Sequence, residues 1–561
     1  MKHLRIGPYE LCAFAIIVFA TVLRVLLIAQ GWPEINSDEG TMGLMALHIA
    51  YHGEYPIFLY GQGYMGSLEA YLSAAFFHLF GPSSFALQLS LIVLFVLFLV
   101  SMYLLTSLLY TKKLALVTLA LLSLGSSEML FRELEVAGHA PYTLPFGPII
   151  LLLASWLALS SIEQGSSISK RRIIAYGAWG FIVGFAIWSD TLVLPFVLMA
   201  GLLLVLFCRS ELRRPAMLSL LLGVVIGLSP LIIYNLTVPV QQGSFTVLGT
   251  IFGYNSTGQA ISQPGLGQKI AATMLVSLPS ATGANTLCSL SENDWPLSGR
   301  SSPHTIQCAV VHGAWGLGFI ILWTIAVVLA TRHYWKLQHL SLARAWSAEE
   351  RRGAIRSAAR LMLLGSAGLP LLIFVLGAPS ASDPRSNARY LIGLLIAIPA
   401  VIWPLWYAAS TVRLRSVRFA AVTGVFRYAV LLLIGAVFLM GTIDAFSGIP
   451  SAHASFQQQD ALIHNLLHIG ATRIYSDYWT CDRIIFASRE QIICSVVDEH
   501  LQPGYDRYLP YRSIVRADPH PAYVFPLASA QALAFAGKVA DSSEHYQRFV
   551  FNGYVVYISS G

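Results

Sequence analysis

The sequence predicts an α-helical polytopic membrane protein of about eleven transmembrane helices, with a small α/β unit at its C-terminal end. Three observations carry that expectation. Of 561 residues, 56% are hydrophobic and 11% charged, with mean hydropathy +0.65, whereas soluble domains carry roughly 25% charged residues. Apolar runs of about 20 residues, enough to cross a bilayer, recur along most of the chain. Beyond about residue 448 that signature stops.

In order, the apolar runs give spans near 11–30, 85–110, 114–130, 144–162, 173–189, 191–208, 216–236, 313–331, 358–377, 389–408 and 428–447. The first is too long for a signal-peptide core and lacks a small-residue cleavage site, so it reads as a retained helix. Positive residues cluster in "KHLR", "TKK", "SKRR", "RSELRR", the 332–360 stretch and "RLRSVR", always in alternate gaps. Lys and Arg in short loops mark the cytoplasmic side, which predicts an N-terminus inside, a C-terminus outside and a multi-pass location in the plasma (inner) membrane. The net charge of +7 is accounted for by these loops. No basic face interleaved with aromatics is present, which argues against a nucleic-acid partner.

The opposite gaps are then external: about 31–84, 131–143, 237–312 and 378–388, followed by the tail. The organisation expected is a membrane domain over 1–447 and an extracytoplasmic α/β domain over 448–561. The tail opens with a helical pattern, "QQQDALIHNLLHIG", and continues in short alternating runs such as "RIIFAS", "QIICSVV" and "YVVYISS". Cys288 and Cys308 share one external loop, and Cys481 and Cys494 share the tail. An oxidising compartment permits two disulfides there; four unpaired small core residues are the other reading.

The external segments hold the candidate chemistry. "NSDEG" places Asp38 and Glu39 just after the first span. Asn, Ser and Asp are good helix caps, so capping and catalysis are both open at this pair. The rest of the first loop, "GEYPIFLYGQGYMGSLEAY", supplies Tyr60, Gln62, Tyr64 and Glu69. "FRELEVAGHAPYTL" supplies Arg132, Glu133, Glu135 and His139, and "SDPRSNARY" supplies Arg385, Arg389 and Tyr390. Ionisable residues at a membrane boundary are costly and generally face a cavity or one another. Acids and arginines gathered at one face suit reaction on an anionic lipid headgroup: a carboxylate takes a proton and guanidinium groups stabilise a leaving phosphate.

An Asp-Glu pair after the first span, acidic external loops, "GLSPLIIYN", "NARYLIGLL" and an external C-terminal domain together resemble the GT-C glycosyltransferases. The protein O-mannosyltransferases and aminoarabinose transferases are the most similar groups. The resemblance spans the whole membrane part. It implies a polyprenyl-phosphate sugar lipid as donor, a glycan, lipid or protein acceptor offering a hydroxyl from outside, and transfer with inversion for the cell envelope. It also implies Asp38 as general base, Glu39 as the acid that orients the site, and Arg389 as a phosphate contact. Where aminoarabinose transferases carry Phe-Glu-Lys-Pro-Pro, this loop has "LYGQGYMGSLEAY". An arginine, Arg132 or one of "DPRSNARY", must then replace the lysine that meets the phosphate.

Three further positions complete the reading. Arg24, inside the first span, is expected either to snorkel or to point into the lipid cavity. Asp190 in "WSDT" reads as a cap. The "ELE" of Glu133 and Glu135 is similar to the spaced acids that hold a divalent cation in oligosaccharyl-type relatives. The alternative class is a transporter or lipid-linked-sugar flippase, which predicts repeated halves and midplane acids; no repeat is evident.

Overall fold

A computed structural model describes residues 7–559 apart from 139, 164–167, 214, 253–263, 291–301, 344–345, 378, 412–416 and 542–544. Among the described residues, eight helices are long and apolar enough to cross a membrane, and ten if two bent pairs each count as one span. The eleventh expected run is the helix Thr191–Phe207, which falls short of spanning length. The bends have local causes. Lys112–Ser123 and Ser127–Leu134 meet at 86°, and Ser126 caps the second piece by accepting from the Met129 N–H. Pro215–Gly227 and Ser229–Thr237 meet at 54°, with Pro230 at the restart, where a missing N–H costs nothing.

Helix packing uses small residues, as expected where lipid supplies no hydrophobic drive. Gly180 and Gly184 on one helix face Gly223 and Gly227 on the next. A Cβ at Gly180 would lie 2.1 Å from the Leu220 carbonyl oxygen, and one at Gly227 2.3 Å from that of Phe181. The last span begins a continuous apolar and then amphipathic helical stretch, Gly424–His468, of 45 residues. At 1.5 Å per residue it is about 68 Å long, more than twice a hydrocarbon core, so its far end leads away from the membrane.

That far end delivers the chain to a five-stranded sheet. Its strands are β1 (Arg473–Ser476), β2 (Ile493–Val496), β3 (Ala522–Pro526), β4 (Tyr546–Phe551) and β5 (Tyr554–Ser559), in spatial order β2-β1-β3-β5-β4. β1 runs parallel to β2 and β3; β5 is antiparallel to β3 and β4. The helix Tyr478–Ala487 crosses from β1 to β2. Asn552 and Gly553, both at positive φ, turn β4 into β5, the two-residue hairpin that Asn-Gly favours.

The loop after the first span and this sheet unit are built into each other. The loop carries a helix, Ser37–Leu47, a π-turn, His48–His52, and a second helix, Leu68–Phe80. Glu69 therefore opens a short helix of its own rather than the second span. Leu44 packs in the core of the sheet unit with Leu462, Ile484 and Val524. Phe486 of the sheet unit packs in turn with the membrane core. Gly40 is what allows this approach: a Cβ there would sit 2.6 Å from the Asp482 carbonyl carbon. Ser37 donates to the Tyr478 carbonyl at 2.6 Å, and Thr41 to the Asp482 carboxylate at 2.6 Å. The two cysteine pairs are joined, Cys288 to Cys308 and Cys481 to Cys494.

Candidate active site

The capping role in "NSDEG" falls on a residue other than Asp38. Asn36 is the cap: its side chain accepts from the Glu39 N–H, and Glu39 accepts from the Asn36 N–H at 3.1 Å. This is a reciprocal capping box. Asp38 takes no part in it. Its Oδ1 accepts from the Arg507 guanidinium at 2.5 Å and from the Tyr478 hydroxyl. Arg507 Nε also donates to the Tyr478 oxygen at 2.8 Å. Among the described residues Oδ2 receives no protein hydrogen bond, and the Asp38 side chain is 24% exposed. One oxygen is held and the other is open.

Both partners come from the sheet unit, from segments that follow the C-terminal ends of parallel strands. That edge is where open α/β sheets generally bind ligands. Tyr478 follows β1, and Asp477 fixes the turn by accepting from the Trp479 N–H at 2.9 Å. Arg507 lies on the segment after β2, anchored by its neighbour Asp506, which accepts from the Val496 N–H at 2.6 Å. Tyr505 of the same segment donates to the Gly61 carbonyl at 2.5 Å. Sequence reasoning missed Arg507. The available signal was "GYDRYLPY", an arginine among four aromatic or proline neighbours in an otherwise ordinary tail.

Behind Asp38 lies a pool of buried acids. Glu39 is fully buried and accepts from the Val136 N–H at 2.9 Å, tying the first loop to the second. Burial, and then the nearby Glu135 charge, pushes its carboxyl up to about 8. Glu69 is held well above the ordinary range, first by burial and also by Glu39 and Glu135. One Glu69 oxygen accepts from the Gly138 N–H at 3.2 Å, and the other is buried without a partner. Asp190 caps its turn as expected, accepting from the Leu192 N–H at 3.0 Å, and burial pushes it up to about 7.

The remaining candidates separate. Arg24 neither snorkels nor faces lipid. It is fully buried, pairs with Glu133 at 2.6 Å and donates to the Ser123 carbonyl at 2.8 Å. Glu135 instead accepts from Arg132 at 2.8 Å and from Asn36 at 3.2 Å. The two "ELE" acids therefore point to different partners. Arg132 also pairs with Glu128 at 2.9 Å, which leaves it little capacity for an outside anion. Arg385 donates to the Leu290 carbonyl at 2.9 Å. Arg389 lies against Tyr390, and its Nε is buried with no partner. Arg507 Nη1 is likewise buried and unpartnered. The Tyr64 hydroxyl links these groups: burial and Tyr390 push it up, while the charges of Arg507 and Arg389 both reach it in opposition. Gln62 has a buried, unpartnered carbonyl oxygen. Tyr60 donates to Glu54 at 2.5 Å, on the side of the loop beyond Asp38. His139 lies outside the described residues.

A divalent cation at this pool needs ligand atoms that converge. Among the described residues, the groups of three or more whose ligand atoms lie within 4.8 Å of one another are Cys288–His304–Cys308 and His48–His52–Glu490. Neither includes Asp38, Glu39, Glu69 or Glu135. Most of the pool's oxygens already accept from backbone N–H groups or from Arg132. The Glu69 oxygen left without a partner belongs to no converging group of three ligand atoms among the described residues, so the described acids do not fit a bound cation.

No known protein family and no curated protein matches the sequence. Solved structures do match the fold. ArnT from Cupriavidus metallidurans, in the apo state, superimposes with TM-score 0.53 at 12% identity, covering 97% of each chain. The Archaeoglobus fulgidus oligosaccharyltransferase in the apo form gives TM-score 0.50 at 13% identity, covering 98% of this chain and 74% of that one. The same enzyme tethered to an acceptor peptide gives 0.50 at 13%, covering 99% and 74%. A multi-pass helical chain that interlocks the loop after its first span with a small C-terminal sheet unit thus has the fold of the GT-C membrane glycosyltransferases.

Proposed function

We propose that this protein is a glycosyltransferase that moves a sugar from a polyprenyl-phosphate donor to an acceptor hydroxyl on the extracytoplasmic face. The observation that carries the reading is Asp38, fixed through one carboxylate oxygen and open at the other, with two arginines nearby that each keep a buried N–H unpaired. The fold and the first-loop Asp-Glu pair support it.

The acceptor O–H attacks the anomeric carbon as the bond to the phosphate oxygen breaks. Asp38 Oδ2 takes the acceptor's proton. Arg389 Nε and Arg507 Nη1 receive the negative charge that develops on the leaving lipid phosphate, where charge-assisted bonds are strongest. Glu39, neutral and bonded to both the Asn36 and Val136 N–H groups, keeps the first and second loops in register rather than moving a proton. No step is routed through a cation.

In this reading residues 1–447 form the catalytic membrane part and 448–561 the extracytoplasmic unit, with the N-terminus cytoplasmic. Cysteine labelling at Ser451 without permeabilisation checks the sidedness, and labelling only after permeabilisation reverses it. The reaction is tested by assaying purified Asp38→Asn protein with a polyprenyl-phosphate sugar. A positioned base contributes about 10²- to 10⁴-fold, so turnover should fall by that factor. Thermal stability should hold, because Asn36 and not Asp38 caps the helix. Wild-type turnover by the Asn variant would sink the catalytic role of Asp38.

A further inference from the structure

At the other end of the helix that carries Asp38 lies a second polar cluster that the proposed reaction does not use. His48 and His52, one turn apart in the π-turn, stack with ring centroids 5.1 Å apart. Glu490 of the sheet unit reaches both: its Oε1 is 3.3 Å from His48 Nε2, and its Oε2 is 3.5 Å from His52 Nε2. All three ligand atoms lie within 4.8 Å of one another. Four ligands at about 2.0–2.1 Å around a tetrahedral zinc are separated by about 3.4 Å. The two His–Glu distances, one to each carboxylate oxygen, are close to that ligand spacing.

The surroundings are those of a ligand set. His48 is 2% exposed, and its Nδ1 lies 2.9 Å from the Tyr60 hydroxyl and 3.4 Å from Glu54 Oε2. With the proton on Nδ1, Nε2 carries the lone pair; it lies 3.1 Å from the Tyr511 hydroxyl, which keeps its own contact to Glu490 at 2.6 Å when a metal takes that lone pair. Glu490 sits at φ 63° next to Arg489 at φ 51°. Two successive left-handed non-glycine residues are costly, and such conformations gather at functional positions. Glu490 Oε1 accepts that bond from the Tyr511 hydroxyl, which fixes the carboxylate toward the two imidazoles. His52 is half exposed, which leaves the fourth position open to water. The other converging cluster, Cys288–His304–Cys308, has both sulfurs joined in a disulfide and offers no thiolate.

We infer that His48, His52 and Glu490 form a zinc site that clips the first external loop to the C-terminal sheet unit. Two imidazoles and one carboxylate favour zinc over magnesium or calcium, which prefer all-oxygen shells. The site joins the same two elements as the Asp38–Arg507 pair and does not depend on the glycosyl-transfer reading.

The test uses the full-length protein in detergent, freed of affinity-tag histidines, stripped with chelator and titrated with zinc alone. The wild type should bind one zinc per chain, counted by elemental analysis, and zinc should raise its thermal midpoint while magnesium does not. His52→Ala and Glu490→Gln should fold but bind zinc at least a hundredfold more weakly, with no midpoint shift. Cobalt in the wild type should show the intense visible bands of a four-coordinate site, absent in His52→Ala. Equal zinc binding by wild type and His52→Ala overturns the proposal, and so does a wild type that takes up no zinc at micromolar concentration.

Discussion

Two arginine–carboxylate pairs lie toward the C-terminal end of the first span and just beyond it, and they differ in how completely they are closed. Arg24 and Glu133 are 0% and 1% exposed. Arg24 spends its donors on Glu133 and on the Ala20, Leu122 and Ser123 carbonyls, and it lies 3.7 Å over the Phe95 ring. Arg507 and Asp38 are 5% and 24% exposed, with an arginine N–H and a carboxylate oxygen left over. The closed pair's spare Glu133 oxygen is buried out of reach, whereas the open pair keeps a carboxylate oxygen on a part-exposed side chain and an arginine N–H beside it. An ion pair at a membrane boundary becomes a site through what it leaves within reach of a ligand.

The comparison can be broken from either side. Removing one partner of a buried pair strands the other charge and typically costs 3–5 kcal/mol. Arg24→Met should therefore give little folded protein in fluorescence-detected size exclusion, and Arg24→Met with Glu133→Gln should recover most of it. Equal yields from the single and double variants would mean that the pair is not what holds Glu133.

The open pair should respond in the opposite way. Arg507→Lys keeps the charge but loses the fork that grips Asp38 and Tyr478 together. Transfer should fall roughly ten- to a hundredfold, about 1.4–2.7 kcal/mol in the barrier. The melting midpoint should barely move, since partly exposed pairs contribute at most about 1 kcal/mol. A large stability loss with intact turnover would make Arg507 a scaffold residue.

A further effect is a pH dependence, spread over several pH units. Glu39 in the unfolded chain titrates near 4.5 and in the folded chain near 8. Between those values the folded state keeps a proton that the unfolded state releases, so stability falls as pH rises through the window, by at most about 1.4 kcal/mol per unit. Melting curves from about pH 5.5 to 8 should show that slope in the wild type and a flatter one in Glu39→Gln. Parallel slopes would remove Glu39 as their source.

Much of the fold was legible because membrane spanning is written in composition and length. Ten of the eleven apolar runs have a counterpart of spanning length among the described residues, counting each bent pair as one. The bent pairs were not visible as bends, since a run interrupted by Gly-Ser or Ser-Pro reads as one hydrophobic segment. At the site, Asp38 and Glu39 could be singled out because two adjacent acids at the end of a span are costly. Which of them capped the helix could not, because Asn36, Ser37 and Asp38 all suit the cap. Arg507 was illegible for a different reason. Its partner is 469 residues away, and only the tertiary fold of the tail aims it at the first loop.

That separation has a consequence for how the protein is made. At about 5–20 residues per second, Arg507 leaves the ribosome roughly 25 to 95 seconds after Asp38. Through that interval the first loop lacks Tyr478, Arg507 and the core into which Leu44 packs. The geometry around Asp38 is therefore assembled only late in translation, and a nascent chain stopped before Arg507 does not have it.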